Sequence, residues 1–366
     1  MANQKTKEFQ SKIAEQFIKS LEEDGLQWKQ GWTARCVAKN GATNYKYNGV
    51  NRFKLMLIQN HFKFEDPRWY TFNQIKDVKG IYHKGQEWKL KKGSKGAQVE
   101  YAMPVDKLKN KILSWEEFHK LEKAENFDPG RYRIARKYTH VFHASQIEGV
   151  PKYIQPEPKG LKTHELINNL SVNMEVPINY CGIDMAYYNP GDDTISLPNR
   201  DDFENEYELN STALHELAHA TGASSRLNRE TLANYQQIRK NPEARAKEEL
   251  IAEISSTMMG CHVVDAEGLP PLENHKAYIS SWISNIKEKP EFLIDAIRSS
   301  EKAVNYMEYK AGITTKEEYE KTKIYDLKKK KEIAPNVEKG HGLERVESKV
   351  AFTPANYQKK NIEKAI

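Results

Sequence analysis

His215, Glu216 and His219 are the residues of this chain best suited by type and spacing to do chemistry. On a helix, positions four apart share one face, with Cβ atoms roughly 5–6 Å from each other, so both imidazoles can reach one metal ion. Glu216 lies about a quarter turn round from His215. From there its carboxylate can take a proton from a metal-activated water, the role of a general base in hydrolysis. The flanking Ala213, Leu214, Leu217 and Ala218 are apolar helix formers, so the helix is expected to be buried. Ser211 or Thr212 is expected to cap its start, and Gly222 to end it. Buried imidazoles need partners, and a metal ion serves as one.

A catalytic zinc site needs a third protein ligand and one open position. The segment Glu248 to Ile254 is the best source, because three carboxylates sit among Leu250, Ile251, Ala252 and Ile254. Glu249 and Glu253 are four apart and share a face. One of them can bind the ion while the other hydrogen-bonds a ligand histidine. Glu248 is expected to face water, and His262 is the competing third ligand. The Glu249-x-x-Ala252-Glu253 spelling resembles the third-ligand helix of gluzincin metallopeptidases. That resemblance implies that Glu249 binds the metal and Glu253 orients a histidine. Zinc is the expected ion, with manganese the alternative.

At 366 residues the chain has room for two domains. No run approaches the roughly 18–20 apolar residues of a membrane span. The N-terminus leads into an amphipathic pattern (Phe9, Ile13, Phe17, Ile18, Leu21) and not into a signal peptide. The three cysteines are widely spaced, with no CxxC, and read as reduced thiols of a cytoplasmic protein. Charge is unevenly shared. Residues 1–150 hold 28 Lys+Arg against 17 Asp+Glu, leaving 57−28 = 29 against 51−17 = 34 for the remainder. Such a basic front half is suited to meet a polyanion.

Three prolines and a glycine between Pro151 and Gly160 mark a linker. Few apolar anchors follow residue 310, and the Lys328–Lys331 run reads as a solvated tail. The expected organisation is a front domain over 1–150, a second over 151–310, and a charged extension over 311–366. In the middle region, strands at 186–188 and 194–197 flank a turn and form a hairpin. Helices follow over about 207–221 and 243–260, then around Tyr278–Ile286 and Phe292–Met307. An edge strand beside the metal helix can pair with an extended peptide.

Residues 25–105 hold 15 Lys+Arg against 5 Asp+Glu, together with 13 aromatics. Basic residues draw in a phosphate backbone, and aromatic faces stack on unpaired bases. The combination predicts a surface for single-stranded DNA. Candidate contacts are Trp28, Trp32, Lys39, Tyr45, Lys46, Tyr47, Asn51, Arg68, Trp69, Lys91, Lys92 and Lys95. No GxxxxGK[ST] motif is present, which argues against a nucleotide-driven motor.

Two blocks of residues resemble the ArdC-type antirestriction proteins of plasmids, phages and other mobile elements. The front block includes Trp28 and Trp32, Tyr47-Asn48-Gly49-Val50-Asn51, Arg68-Trp69-Tyr70-Thr71-Phe72-Asn73-Gln74 and Lys92-Gly93-Ser94-Lys95-Gly96. The back block runs from Asp193 to Pro198 through His215–His219, Thr221-Gly222 and Arg226-Leu227. It continues with Glu248–Glu253 and Tyr278 with Trp282. The resemblance implies an α+β chain, with a small basic, aromatic-rich domain that binds single-stranded DNA followed by a zincin-like, gluzincin-type metallopeptidase domain. It implies protection of incoming DNA, with a host restriction protein as substrate or target and no membrane partner. The alternative is a DNA-protection factor without proteolysis, its metal domain a scaffold or docking surface.

Overall fold

A computed structural model describes residues 4–24, 37–77, 81–82, 87–124, 126–154, 162–182, 185–233, 240–262 and 276–322. Helices are α1 (Gln4–Asp24), α2 (Gly49–Phe62), α3 (Phe72–Lys76), α4 (Trp115–Glu122), α5 (Thr163–Met174) and α6 (Glu206–Ala220). They continue with α7 (Glu230–Ala233), α8 (Pro242–Gly260), α9 (Lys276–Glu288), α10 (Pro290–Lys310) and α11 (Lys316–Thr322). Strands are β1 (Lys39–Asn40), β2 (Arg68–Thr71), β3 (Lys89–Leu90), β4 (Ala97–Asp106), β5 (Lys111–Ile112) and β6 (Tyr132–His143). They continue with β7 (Ile147–Glu148), β8 (Ile178–Tyr180), β9 (Tyr187–Asn189) and β10 (Thr194–Leu197). The chain is α+β, as the resemblance implies. Among the described residues, no helix is long and apolar enough to cross a membrane.

The chain forms two compact units. One combines residues 1–68 with 151–320, and the other is built on 69–150. The boundary after Val150 lies at the proline-rich linker. The first 68 residues nonetheless fold with the back half, because α1 and α2 are amphipathic and find their apolar partners there. Phe9, Ile13, Phe17 and Leu21 of α1 are buried, and so are Val50, Phe53, Leu55 and Met56 of α2. Both helices pack on α10, and α1 also packs on α9.

In this first unit, a three-stranded sheet in the order β8-β10-β9 lies beside α6. β10 runs parallel to β8 and antiparallel to β9, with Ile195 opposite both Ile178 and Tyr188. β9 and β10 are the expected hairpin, and β9 is an outer strand of the sheet among the described residues. The helix α6 starts close to the expected position, but neither Ser211 nor Thr212 caps it. Asn205 is its cap, accepting from the Glu208 N–H at 3.0 Å, while Ser211 and Thr212 lie inside the helix. Glu206 and Glu208 in the first turn suit the positive end of the helix dipole, so the cap moved to where charge and hydrogen bonding agree.

In the second unit, β2, β6, β4 and β5 form an antiparallel sheet in that order, with β4 and β6 paired over ten positions. Trp69 of β2 is 1% exposed and meets His143 edge-on, with ring centroids 5.1 Å apart. It is a core residue and not the base-stacking residue proposed from its sequence context: a face packed against the interior cannot receive a base. Trp69→Ala is therefore expected to cost about 3–5 kcal/mol, read as a lower midpoint in urea unfolding of the intact chain.

Candidate metal centre

α6 and α8 face each other and bring the candidate site together. Ala213, Leu217, Ala218 and Ala220 of α6 are fully buried, as are Leu250, Ala252, Ile254 and Met258 of α8. This apolar contact fixes the rotation of each helix, and three acceptors and two imidazoles are carried into the seam with it. His215, Glu216 and His219 are 2%, 7% and 4% exposed, and Glu248, Glu249 and Glu253 are equally hidden.

Ligand atoms of His215, His219 and Glu249 lie within 4.8 Å of one another, a set that could hold a metal ion. The two Nε2 atoms are 3.1 Å apart. The Glu249 Oε2 is 3.4 Å from the first and 3.8 Å from the second. Two nitrogens bound at about 2.0–2.1 Å to a tetrahedral zinc would lie about 3.3 Å apart, so the spacing fits. Each Nδ1 is backed by a carboxylate: Glu253 Oε2 at 3.2 Å from His215 and Glu248 Oε1 at 3.0 Å from His219. Those carboxylates hold the protons on Nδ1 and turn the Nε2 lone pairs toward one point. Lone pairs so close together require positive charge between them, either a proton or a metal ion.

Burial alone would push both imidazoles down. The carboxylates outweigh it. Glu249 and Glu253 raise His215 to about 9, and Glu248 and Glu249 raise His219 to about 10. The pair thus holds a proton at neutral pH that a cation must displace. Cation binding is expected to release at least one proton, with an apparent affinity that rises with pH. Calorimetry in buffers of differing ionisation enthalpy measures this, and binding without proton release would contradict it.

Glu248 does not face water, as its sequence position suggested. It is 1% exposed and pairs with the buried Arg229, whose Nε donates to Glu248 Oε2 at 3.0 Å. Thr231 also donates to that oxygen. Arg229 further donates to Thr221 Oγ1 at 2.8 Å and to the carbonyls of Ala218 and His219 at 3.1 and 3.2 Å. One guanidinium therefore ties off the carbonyl end of α6 and neutralises the carboxylate that orients His219. Gly222 makes room for it, since an added Cβ would lie 2.7 Å from the guanidinium and 2.5 Å from Leu232. Sequence reasoning missed Arg229. Its one legible signal is a cation placed just after the end of the metal helix. His262 is spoken for elsewhere, 2.6 Å from Glu308, and is absent from the cluster.

Glu216 points toward the sheet. Its Oε2 accepts from the Tyr188 N–H of edge strand β9 at 2.7 Å. Burial raises its carboxyl above the ordinary range, which favours uptake of a proton.

Residues 7–142 match the family described as the N-terminal domain of the anti-restriction factor ArdC, and residues 165–299 match the zincin-like metallopeptidases. Each end of the chain thus carries a match to one of these two families. The first match spans both compact units. Two Escherichia coli proteins named DNA primase TraC are 28% and 29% identical over 310 and 308 residues, each covering 82% of this chain. The chain spans 27% and 20% of their lengths. The uncharacterized protein y4eC of Sinorhizobium fredii is 24% identical, covering 81% of this chain and 90% of its own. The fold also matches the antirestriction protein ArdC of plasmid R388, solved metal-free and with Mn(II) bound. TM-scores are 0.62 and 0.61 at 21% and 22% identity, covering 84% of this chain and 99% of that one.

The proposed DNA residues fall in both units. Tyr45 and Lys46 are exposed on the loop before α2, while Lys39, Tyr47 and Asn51 are half-buried. Asn40 Oδ1 shapes this loop, accepting from Ala42 and Thr43 N–H groups at 3.1 Å each. Arg68 is held by Asp66 at 2.7 Å and by the Pro151 carbonyl at 2.7 Å, over the Tyr153 ring. In the second unit Lys91, Lys92 and Lys95 are exposed around Gly93, whose φ of +82° shapes the turn. Trp28 and Trp32 lie outside the described residues.

Proposed function

We propose that this chain is an antirestriction protein of a mobile genetic element, acting in the cytoplasm, that binds single-stranded DNA and carries a working metallopeptidase centre. The observation that carries the reading is the convergence of His215, His219 and Glu249, with every imidazole Nδ1 backed by a buried carboxylate. His215, His219 and Glu249 are the metal ligands, Glu253 and Glu248 orient the histidines, and Glu216 is the general base. The nitrogen-rich donor set suits zinc, and manganese is the second choice given the Mn(II)-bound relative. A bound divalent ion polarises a carbonyl and acidifies water. Glu216 takes the proton, and its bond to the β9 edge amide holds it in place beside the strand where a peptide would lie. A host restriction protein is the proposed target.

DNA contacts are proposed on each unit by itself, from Tyr45, Lys46 and Lys39 on one and from Lys91, Lys92 and Lys95 on the other. Lys46→Ala and Lys92→Ala are each expected to weaken binding of a labelled oligonucleotide. Each should also reduce the steepness of the salt dependence by about 0.7 in log K against log salt. Fluorescence anisotropy across a salt series reads both effects, and an unchanged slope removes that lysine from the contact set. The reading as a whole is tested by measuring metal content, oligonucleotide binding and protection of transferred DNA from restriction on the same preparation.

A further inference from the structure

The face of α8 that carries Glu249 also carries Arg245, four residues earlier. Helical side chains lean toward the N-terminus, so the Glu249 carboxylate leans over the turn that bears Arg245. α9 is pinned to that turn. Trp282 is fully buried, and its Nε1 donates to the Ala246 carbonyl at 2.8 Å. Tyr278, one turn before Trp282, stacks with its ring at a centroid distance of 6.2 Å and 18°. Its hydroxyl lies 3.3 Å from Arg245 Nη2. The guanidinium donates, so the phenol O–H is left to donate to something else. Both residues are half-buried and reach solvent, while Glu249 is buried. The Tyr278 hydroxyl is thus held by a guanidinium one helical turn from Glu249, on the face of α8 that carries the carboxylate. Burial first, and then Glu249, push it up to about 12, so it stays a donor.

We infer that Tyr278 is a catalytic residue whose O–H stabilises the oxyanion formed on the scissile carbonyl, with Arg245 as the residue that positions it. This rests on the metallopeptidase reading above. Water oxygen adds to the carbonyl carbon while Glu216 takes a water proton, and the carbonyl π pair moves onto oxygen. Tyr278 hydrogen-bonds that oxygen without giving up its proton. On collapse the C–N bond breaks and the amine leaves with the proton that Glu216 held. Preorganised donors of this kind act where charge develops, so they change turnover more than ground-state binding.

The test uses the metal-loaded full chain and the best-cleaved member of a fluorogenic peptide library. Tyr278→Phe is expected to lower kcat by about 10²–10³-fold, the effect of removing one oxyanion donor. KM should stay within about twofold, because ground-state binding is untouched. Metal stoichiometry and the thermal melt should not change. Affinity for a peptide phosphonate should fall with kcat, while affinity for the product peptide holds. A parent chain with Glu216-dependent cleavage and an equally active Tyr278→Phe variant overturns this inference alone. A rise in KM alone also overturns it, by making the pair a ground-state clamp for a substrate carboxylate. A parent chain with no Glu216-dependent cleavage overturns the metallopeptidase reading beneath it.

Discussion

Glu216→Gln is expected to retain the full complement of metal and to lose peptide cleavage by about 10²–10⁴-fold, the contribution of a general base. The amide keeps the size of the side chain and still offers an oxygen to the Tyr188 N–H, so the fold around β9 should stand. It cannot accept the proton. Metal analysis and peptide assays on parent and variant read the two effects separately. Unchanged cleavage would reject the assigned base. The same variant bears on biology. If Glu216→Gln still protects incoming DNA from restriction, the protection does not come from proteolysis, and the metal domain acts as a scaffold or docking surface.

Glu248→Ala is the second large expected effect, and it separates a buried role from a solvent-facing one. A water-facing glutamate would change stability by no more than about 0.5 kcal/mol. In this structure the substitution strips Arg229 of its counter-charge inside the protein and frees the His219 Nδ1. Breaking a buried pair by removing one partner costs about 3–5 kcal/mol. Loss of the group that orients a ligand histidine lowers metal affinity by about 10–100-fold. Urea unfolding of the metal-free chain and competition against a chelator measure the two separately. Glu248→Gln, which restores the size without the charge, should fall between parent and Glu248→Ala in both. A Glu248→Ala chain with parental stability and parental metal affinity would show that Arg229 and His219 do not depend on it.

Much of the half that carries the candidate metal site was legible beforehand because its signals are local. Helix periodicity places His215 and His219 on one face wherever that helix ends up. The turn residues from Asn189 to Asp193 announce the hairpin, and the run Leu250 to Ile254 announces a packed helix. The front half was less legible. Its aromatics divide between a core and the exposed surface, and residue type does not separate the two. Trp69 is buried while Tyr45, 55% exposed, is on the surface, yet each is an aromatic beside a basic residue, Arg68 and Lys46, in the chain. Trp69 lies on a strand whose face is covered by its unit, whereas Tyr45 lies in the loop before α2.

The sequence by itself determined the two imidazoles and the neighbouring carboxylate, the helix that supplies a third carboxylate, and the excess of positive charge at the front. Each follows from spacing within one element or from composition. Tertiary structure alone decided that Glu248 turns inward to Arg229 and His219, that His262 goes to Glu308, and that α1 and α2 pack with the back half. The physical reason is that helix rotation and partner choice are set by apolar contacts between residues far apart in the chain. A buried charge such as Glu248 can be hidden only where that packing also delivers its counter-ion.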